Sequence, residues 1–221
     1  MNTKPGVIGR KLGMTQLFAD DGTVLVCTVV LAQSQVVSKR TQEKDGYSAL
    51  LLSEGERREK RVRKPLAGFF GKAGLKPGRA LRELRCSAEY AAKFEVGQKV
   101  KLDDIFAKGQ FVDVQSTSKG RGFSGVMRRY HFKGSVSSHG AHEYKRHGGS
   151  IGTNMTPGRT LPGKKMPGQH GASLVSVLSQ KLVGIDTDSD LLFIRGGIPG
   201  PPGGLVLVRQ AVKRRATASA G

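Results

Sequence analysis

The hydrophobic pattern of the chain consists of short apolar runs separated by turn residues, and it predicts a mainly β protein. Seven segments are rich in β-branched and aliphatic residues, with Gly, Pro, Asp or Ser between them. The predicted strands are residues 24–30, 47–53, 99–106, 111–117, 173–186, 190–196 and 204–212. The first of them, VLVCTVV, is apolar almost throughout, as a buried strand would be. Short strands in this number favour a closed barrel or a sandwich.

Helical patterns are weak along the whole chain. Residues 80–86, ALRELRC, and residues 87–94, SAEYAAKF, are each predicted to form about two helical turns. The predicted fold class is therefore mainly β with a few short helices.

The stretch from residue 119 to residue 171 differs from the rest of the chain. It holds twelve glycines and all five histidines, and its few apolar residues show no periodicity. Such a segment cannot bury enough apolar surface to offset the entropy of ordering it alone. We therefore predict a long extension between two parts of a β body, residues 1–118 and 172–212. Residues 213–221 are predicted to be a basic, flexible tail.

The charge of the chain is large and unevenly distributed. Lys and Arg number 37 against 17 Asp and Glu, which gives a formal net charge of +20. Residues 57–85 and residues 119–171 each carry +9, so the remainder is close to neutral. Charge clustered in this way predicts a polyanionic partner, most often nucleic acid. We interpret residues 57–85 as a basic insertion in the body.

Other partners and compartments are less compatible with the sequence. No stretch approaches the roughly 18 apolar residues of a membrane-spanning helix, and the first residues lack the apolar core of a secretory signal. Cys27 and Cys86 are the only cysteines and form no CxxC motif, which is typical of buried thiols in a reducing cytosol. We expect a cytoplasmic protein with no membrane partner, no small-molecule substrate and no homo-oligomer.

Two glycine motifs suggest nucleotide binding but fit it poorly. Gly120-x-Gly122-x-x-Gly125 follows a predicted strand, yet the next residues make a poor helix, and no acidic residue stands where a ribose would need it. Residues 158–165, GRTLPGKK, nearly match a P-loop. However, Lys165 replaces the hydroxyl residue that should bind Mg²⁺, and Pro162 removes one backbone amide. A P-loop or dinucleotide enzyme remains the alternative function.

No metal, cofactor or catalytic site is predicted. His139, His142 and His147 could bring imidazoles together, but Lys145 and Arg146 intervene and no cysteine is near. The acidic residues at 186, 188 and 190 imitate the start of a calcium loop but lack its later Gly and Glu.

One interpretation fits both basic stretches. Glycine allows close approach of backbones, Lys and Arg neutralise phosphates, and His, Tyr and Phe can stack on bases. These properties predict that the extension lies between phosphate backbones of a folded RNA. The predicted RNA-binding cations and histidines are Lys119, Arg121, Arg128, Arg129, His131, Lys133, His139, His142, Lys145, Arg146, His147, Arg159, Lys164, Lys165 and His170, with Arg57, Arg58, Arg61, Arg63 and Lys64 of the first basic stretch.

Four stretches also carry a resemblance. They are IGRKLGMTQLF (residues 8–18), TSKGRGFSGVMRRYHFKG (117–134), GGSIGTNMTPGRTLPGKKMPGQHG (148–171) and FIRGGIPGPPGGLVLV (193–208). Through them the chain resembles, over nearly its whole length, the bacterial members of the ribosomal protein three family of the large subunit.

The resemblance implies a fold and a non-catalytic function. It implies a six-stranded translation-protein-type β-barrel and a long loop that penetrates 23S rRNA toward the peptidyl transferase centre. It also implies direct binding near the 3′ end of that RNA, an early role in subunit assembly, and neighbouring large-subunit proteins as partners. Residues 153–159 would lie deepest, so Asn154, Met155 and Thr156 join the predicted RNA-binding residues. Gln169, near the end of the extension, is predicted with them.

The chain departs from the family pattern at two places. Many bacterial members have a glutamine, methylated in some of them, at the position that Met155 occupies here. Methylation of a side-chain amide is chemically impossible at a methionine. The basic end of the chain also continues past the family's usual end, near Lys213.

Overall fold

The computed structural model describes residues 3–214, and the contacts of the chain divide it into two units. One unit consists of Met1–Thr117 with Leu174–Gly221 and is called here the β unit. The other is Ser118–Ser173 and is called the inserted unit. The predicted tail falls mostly on residues 215–221, which lie outside the described residues.

Nine strands and three short helices form most of the β unit. The strands up to residue 85 are β1 (Gly6–Phe18), β2 (Val24–Leu31), β3 (Ser34–Arg40), β4 (Ala49–Glu54) and β5 (Ala80–Arg85). The helices are α1 (Gln42–Asp45), α2 (Lys64–Lys72) and α3 (Ala88–Ala92), and a 3₁₀ turn spans Glu59–Arg61. A later strand, β6 (Phe111–Thr117), directly precedes the inserted unit.

The inserted unit contains short elements only, and three further strands of the β unit follow it. Its elements are β7 (Gly122–Ser124), α4 (Val126–Tyr130), a 3₁₀ turn (His142–Arg146) and β8 (Gly168–His170). The strands that follow are β9 (Leu174–Asp186), β10 (Leu191–Arg195) and β11 (Leu205–Gln210). The prediction of a mainly β protein with few helices is confirmed.

Six strands of the β unit close on themselves. Antiparallel pairing runs in the order β1-β11-β6-β9-β10-β2 and returns to β1, which makes a closed barrel. Closure leaves no unpaired edge along the paired residues, so the backbone donors and acceptors there are satisfied within the sheet. Most of the buried apolar side chains of β1, β2, β6, β9, β10 and β11 belong to one core cluster.

Strand β1 was not predicted, because four residues in and before it are Gly or Pro. It is long enough to pair with β11 through Gly6–Arg10 and with β2 through Arg10–Phe18. The glycines permit this pairing: a Cβ at Gly9 would collide with the carbonyl oxygen of Leu31. Glycine therefore marks close backbone approach here and not a break in the strand.

A second sheet, in the order β3-β4-β5, corrects one helix prediction. Residues 80–86 were predicted to be helical, but Ala80–Arg85 pairs along its whole length with β4. Helix propensity is a weak preference, and this segment instead supplies the hydrogen bonds that one edge of β4 requires. The helix predicted after it is confirmed as α3, whose N-cap Ser87 accepts a hydrogen bond from the Tyr90 amide at 3.3 Å.

The strand predicted at residues 99–106 was wrong. Only Lys99 makes a bridge, with Gln35, and the chain then turns: the amides of Ile105 and Phe106 both donate to the Leu102 carbonyl oxygen. The buried residues Leu102, Ile105 and Phe106 are spaced three and four apart, the spacing of a helical turn. The apolar run is therefore buried with the spacing of a helical turn and not with the alternation of a strand.

A buried hydroxyl joins the first two sheets. The Ser34 side chain, 3% exposed, donates to the Ile8 carbonyl oxygen at 2.7 Å and accepts from the Ile8 amide at 3.0 Å. Both groups of Ile8 are thereby satisfied inside the core, which a buried backbone requires. No helix in the part of the chain that the structure describes is long and apolar enough to cross a membrane.

Candidate nucleic-acid interface

Backbone hydrogen bonds join the two ends of the inserted unit to each other. The Ser118 amide donates to the Ser173 carbonyl oxygen at 2.9 Å, and the Arg121 amide donates to that of His170 at the same distance. Strands β7 and β8 continue this pairing with Phe123 opposite Gln169. The two legs of the extension therefore begin as a narrow two-stranded ribbon.

Glycines allow close contact between distant parts of the inserted unit. Gly171, with φ of +70°, lies where a Cβ would collide with the Lys119 carbonyl oxygen. Gly134, with φ of +74°, is in the same situation against the carbonyl oxygen of Lys145. Any side chain at these two positions would be strained and would separate the segments.

Arg129 has a structural role inside the unit. Its Nη1 donates to the Met166 carbonyl oxygen at 2.9 Å, and its guanidinium lies 4.9 Å from the centroid of the Tyr130 ring. A Cβ at Gly168 would lie 2.6 Å from the same Nη1. Arg129 therefore ties α4 to the segment before β8, a role that the sequence did not indicate.

The remaining cations of the inserted unit face solvent. Of its ten Lys and Arg residues only Arg129 is half-buried; the exposed ones are Lys119, Arg121, Arg128, Lys133, Lys145, Arg146, Arg159, Lys164 and Lys165. Within residues 3–214, the ion pairs found are Arg10–Glu54, Arg40–Asp45 and Arg40–Glu83, all in the β unit. The inserted unit thus presents nine exposed positive charges that no carboxylate of the described chain neutralises.

His170 lies among these cations. Its pKa is lowered from the ordinary value of 6.5 by burial and then by the charges of Arg121, Arg128, Arg129 and His131. Arg121 Nη1 lies 3.5 Å from its Nε2. The four other predicted histidines of the unit, His131, His139, His142 and His147, are exposed.

Aromatic rings accompany the cations, since Phe123, Tyr130, Phe132 and Tyr144 are interleaved with the basic residues in the sequence. Phe123, on β7, is 80% exposed although it is a large apolar residue. Tyr144 is exposed and packs edge-on against His147, with 5.1 Å between ring centroids. Exposed rings beside cations are suited to stacking on unpaired bases. The alternation of aromatic and basic residues was visible in the sequence, but exposure decides which rings are available.

The segment predicted to lie deepest forms a compact turn. The Thr153 hydroxyl donates to the Thr156 carbonyl oxygen at 2.7 Å, and Gly158 follows with φ of +67°. Asn154, Met155 and Thr156 are all exposed, as are Arg159 and the other predicted flanking cations. The turn therefore presents small uncharged groups and one thioether between basic flanks.

The first basic stretch forms a separate surface in the β unit. Helix α2 is anchored through Phe70, which is 1% exposed, and the eleven cations of residues 57–85 all face solvent. Arg57, Arg58, Arg61, Arg63 and Lys64 lie in and around the 3₁₀ turn and the start of α2. Residues 80–85 belong to β5, so this stretch is partly a structural strand and not wholly an insertion.

The glycine motifs do not have the geometry of nucleotide sites. The helix after Gly125 has only five residues, and residues 158–165 form turns that lead into β8 without a helix. Both motifs therefore lack the long helix that such phosphate sites require. Among residues 3–214 no group of three or more His, Cys, Asp or Glu is placed to hold a metal ion.

Comparison with known proteins decides the family. The profile of the family described as Ribosomal protein L3 matches residues 78–191. The chain is 58% identical to the large ribosomal subunit protein uL3 of Sorangium cellulosum, over 97% of this chain and 93% of that protein. The chain belongs to the uL3 family. The chain is 48% identical to the uL3 protein of Myxococcus xanthus, over 94% of this chain and 93% of that protein. It is 45% identical to the uL3 protein of Thermosipho africanus, over 93% of this chain and 97% of that protein. The uL3 family is not a family of enzymes.

Proposed function

We propose that the chain is a structural constituent of the large ribosomal subunit and that it binds 23S rRNA directly. The observation that carries this proposal is the set of nine exposed, unneutralised cations on the inserted unit of a uL3 family member. Lys and Arg side chains that contact phosphates release counterions from RNA, and this release supplies a large share of the affinity. Membership of the uL3 family indicates the large ribosomal subunit, and the positive charge indicates an RNA ligand.

Three features of the inserted unit support close contact with folded RNA. Glycines at 134 and 171 let backbone segments pack without side chains between them. Phe123 and Tyr144 offer exposed rings. The Thr153–Thr156 hydrogen bond keeps the tip compact. A narrow, basic and partly aromatic segment of this kind fits between RNA backbones better than on a flat surface.

The finer assignments follow from the family resemblance. The closed six-stranded sheet is a translation-protein-type barrel, and binding takes place near the 3′ end of 23S rRNA, where it helps to nucleate early assembly of the subunit. The turn around Met155 faces the peptidyl transferase centre. The basic stretch at residues 57–85 supplies a second RNA contact, and neighbouring large-subunit proteins complete the surroundings in the cytoplasm.

The salt dependence of rRNA binding tests whether the charges contact phosphates. With ten contacts, the logarithm of the binding constant should fall with the logarithm of salt concentration with a slope of roughly −7 to −9. Replacing Lys133 or Arg159 with Gln should make the slope shallower by about 1 for each residue. Lys93→Gln, an exposed cation outside both basic stretches, is the control and should leave the slope unchanged.

A slope shallower than about −2 would show that the cations mostly face solvent. Crosslinks from residues 119–171 in purified large subunits provide the second test. They should join this segment to 23S rRNA, and the chain should be present in stoichiometric amount. Absence of the chain from the purified subunits would refute the proposal directly.

A further inference from the structure

The outer end of the β1–β2 hairpin exposes an apolar face. Phe18 stands opposite Val24 and Gln16 opposite Val26, so these side chains lie on one face of the two strands. Phe18 is 75% exposed, Val24 48% and Val26 46%, and Met14 on the same face is also exposed. Within the β unit as described, no other element covers this face.

The sequence of β2 is suited to a strand covered on both faces. VLVCTVVL contains one polar residue in eight, whereas a strand with one face in water alternates between polar and apolar residues. Its inner part fits this pattern, because Cys27 and Val30 are fully buried. At the outer end an open cavity of about 730 Å³ is lined by Leu17 and Leu25 of the opposite face and also by Phe18. Val24 and Val26 line no part of this cavity and lack the cover that the pattern indicates.

The charges near the hairpin argue against RNA as that cover. Residues 12–38 contain no Lys or Arg, although the chain has 37 of them in 221 residues. The hairpin turn carries two carboxylates, Asp20 and Asp21, and the Thr23 amide donates to the Asp21 carboxylate at 2.9 Å. That hydrogen bond is the main reason why the pKa of Asp21 is lowered, which keeps the group ionised. Carboxylates repel phosphates, and residues 12–31 of the hairpin carry no cation. Lys108, Lys181 and Arg195 line the cavity beside Leu17 and Leu25, and that cavity does not include Val24 or Val26.

We propose that this hairpin face docks a second protein of the large subunit. The partner places apolar side chains against Met14, Phe18, Val24 and Val26, and Lys or Arg side chains against Asp20 and Asp21. Apolar contact at the centre with charged groups at the rim is the usual composition of a protein interface. A second copy of this chain that paired through the same face would present the same carboxylates and no opposite charge. The inference rests on the proposed function, since it takes the chain to be in the large subunit.

A photo-crosslinking amino acid at position 18, in chains assembled into large subunits in cells, tests the occupant. After purification and irradiation, we expect one subunit protein to be crosslinked, through a peptide that contains Lys or Arg. The same probe at Val96, which is 50% exposed and outside the hairpin, is the control and should not give that product. Crosslinks to rRNA, to a second copy, or to nothing would overturn the proposal.

Conservative variants test whether the apolar face holds the partner. Val24→Thr with Val26→Thr keeps side-chain shape and β preference while removing apolar surface. We expect occupancy of the crosslinked protein in salt-washed subunits to fall about tenfold, the order of effect of a central interface residue. Val96→Thr should leave occupancy unchanged. Unaltered thermal unfolding of the free variant would show that the hairpin still folds.

The two proposals fail in different ways. If the chain itself is absent from purified large subunits, both are refuted. Suppose instead that the chain is present and crosslinks through residues 119–171 to rRNA, but the double threonine variant leaves the occupancy of the partner protein unchanged. Then only the docking surface is refuted. Asp20→Asn with Asp21→Asn should separately make retention of the partner less sensitive to salt, because the charged rim is removed. Unchanged salt sensitivity would refute the basic character assigned to the partner.

Discussion

Removing the inserted unit should leave a stably folded barrel. The sharpest version replaces residues 119–172 with Asn-Gly between Ser118 and Ser173. The Ser118 amide already donates to the Ser173 carbonyl oxygen, and the next pair, Thr117 with Leu174, belongs to the β6–β9 ladder. A two-residue Asn-Gly turn suits the twist of such a pair.

The structure sets the size of the effect. Of the 29 buried hydrophobic residues described, only Val126 lies in the inserted unit, and the main core cluster contains none of its residues. The shortened chain therefore keeps its core. Reducing a 54-residue connection to two residues lowers the entropy cost of closure by at most about 3 kcal/mol, at roughly 0.6 kcal/mol per doubling of length. We expect Tm to be unchanged or to rise by up to about 10 °C, at about 2–4 °C per kcal/mol.

Calorimetry and urea unfolding measure this directly. A second variant with a flexible Gly-Ser linker of about six residues separates the effect of the turn from that of the deletion. Phe70→Ala serves as a positive control, because loss of this buried ring should cost about 3–5 kcal/mol. A non-cooperative transition, or a Tm lowered by more than about 5 °C in both linker variants, would show that the inserted unit belongs to the core and would refute the reasoning.

Three further predictions concern single residues. Ser34→Ala should lower the free energy of unfolding by about 1–3 kcal/mol, because it leaves the buried amide and carbonyl of Ile8 unsatisfied; a change below about 0.5 kcal/mol in urea unfolding would contradict this. RNA phosphates should raise the lowered pKa of His170, so protonation should strengthen binding as pH falls through and below 6.5. The affinity of His170→Gln for RNA should therefore fall further below that of the parent chain at about pH 5.5 than at about pH 8. A difference in affinity that is independent of pH would refute the linkage. Met155→Arg should alter drug sensitivity at the peptidyl transferase centre without changing barrel stability, whereas Arg159→Ala should weaken rRNA association. Unchanged drug sensitivity and unchanged chemical probing of the catalytic-centre RNA in Met155→Arg subunits would mean that the tip does not reach that centre.

Local sequence determined most of the strands and the chemistry of the basic segments. Strands β2, β4, β6, β9, β10 and β11 were predicted because β-branched and aliphatic runs bounded by turn residues are a local property. The change to a glycine-rich, basic composition after residue 118 is equally local. So is the net charge, which depends on no contact at all.

Tertiary pairing decided what the local pattern could not. Strand β1 exists because neighbouring strands come close enough for Gly9 to face the Leu31 carbonyl oxygen, and glycine by itself does not indicate a strand. Ala80–Arg85 is a strand because β4 needs a partner, and its helical propensity yields to that need. Residues 102–106 turn because three apolar side chains must reach one core.

The same division holds for the candidate interface. The sequence identified the cations and histidines of residues 119–171, since residue type alone fixes their charge. It could not separate Arg129, which ties two segments together through the Met166 carbonyl oxygen, from the nine cations that stay exposed. Nor could it show that Phe123 faces solvent while Val126 is buried. Charge and backbone preference are carried by each residue, but exposure and partnership arise only when distant segments pack, and so only the tertiary structure decides them.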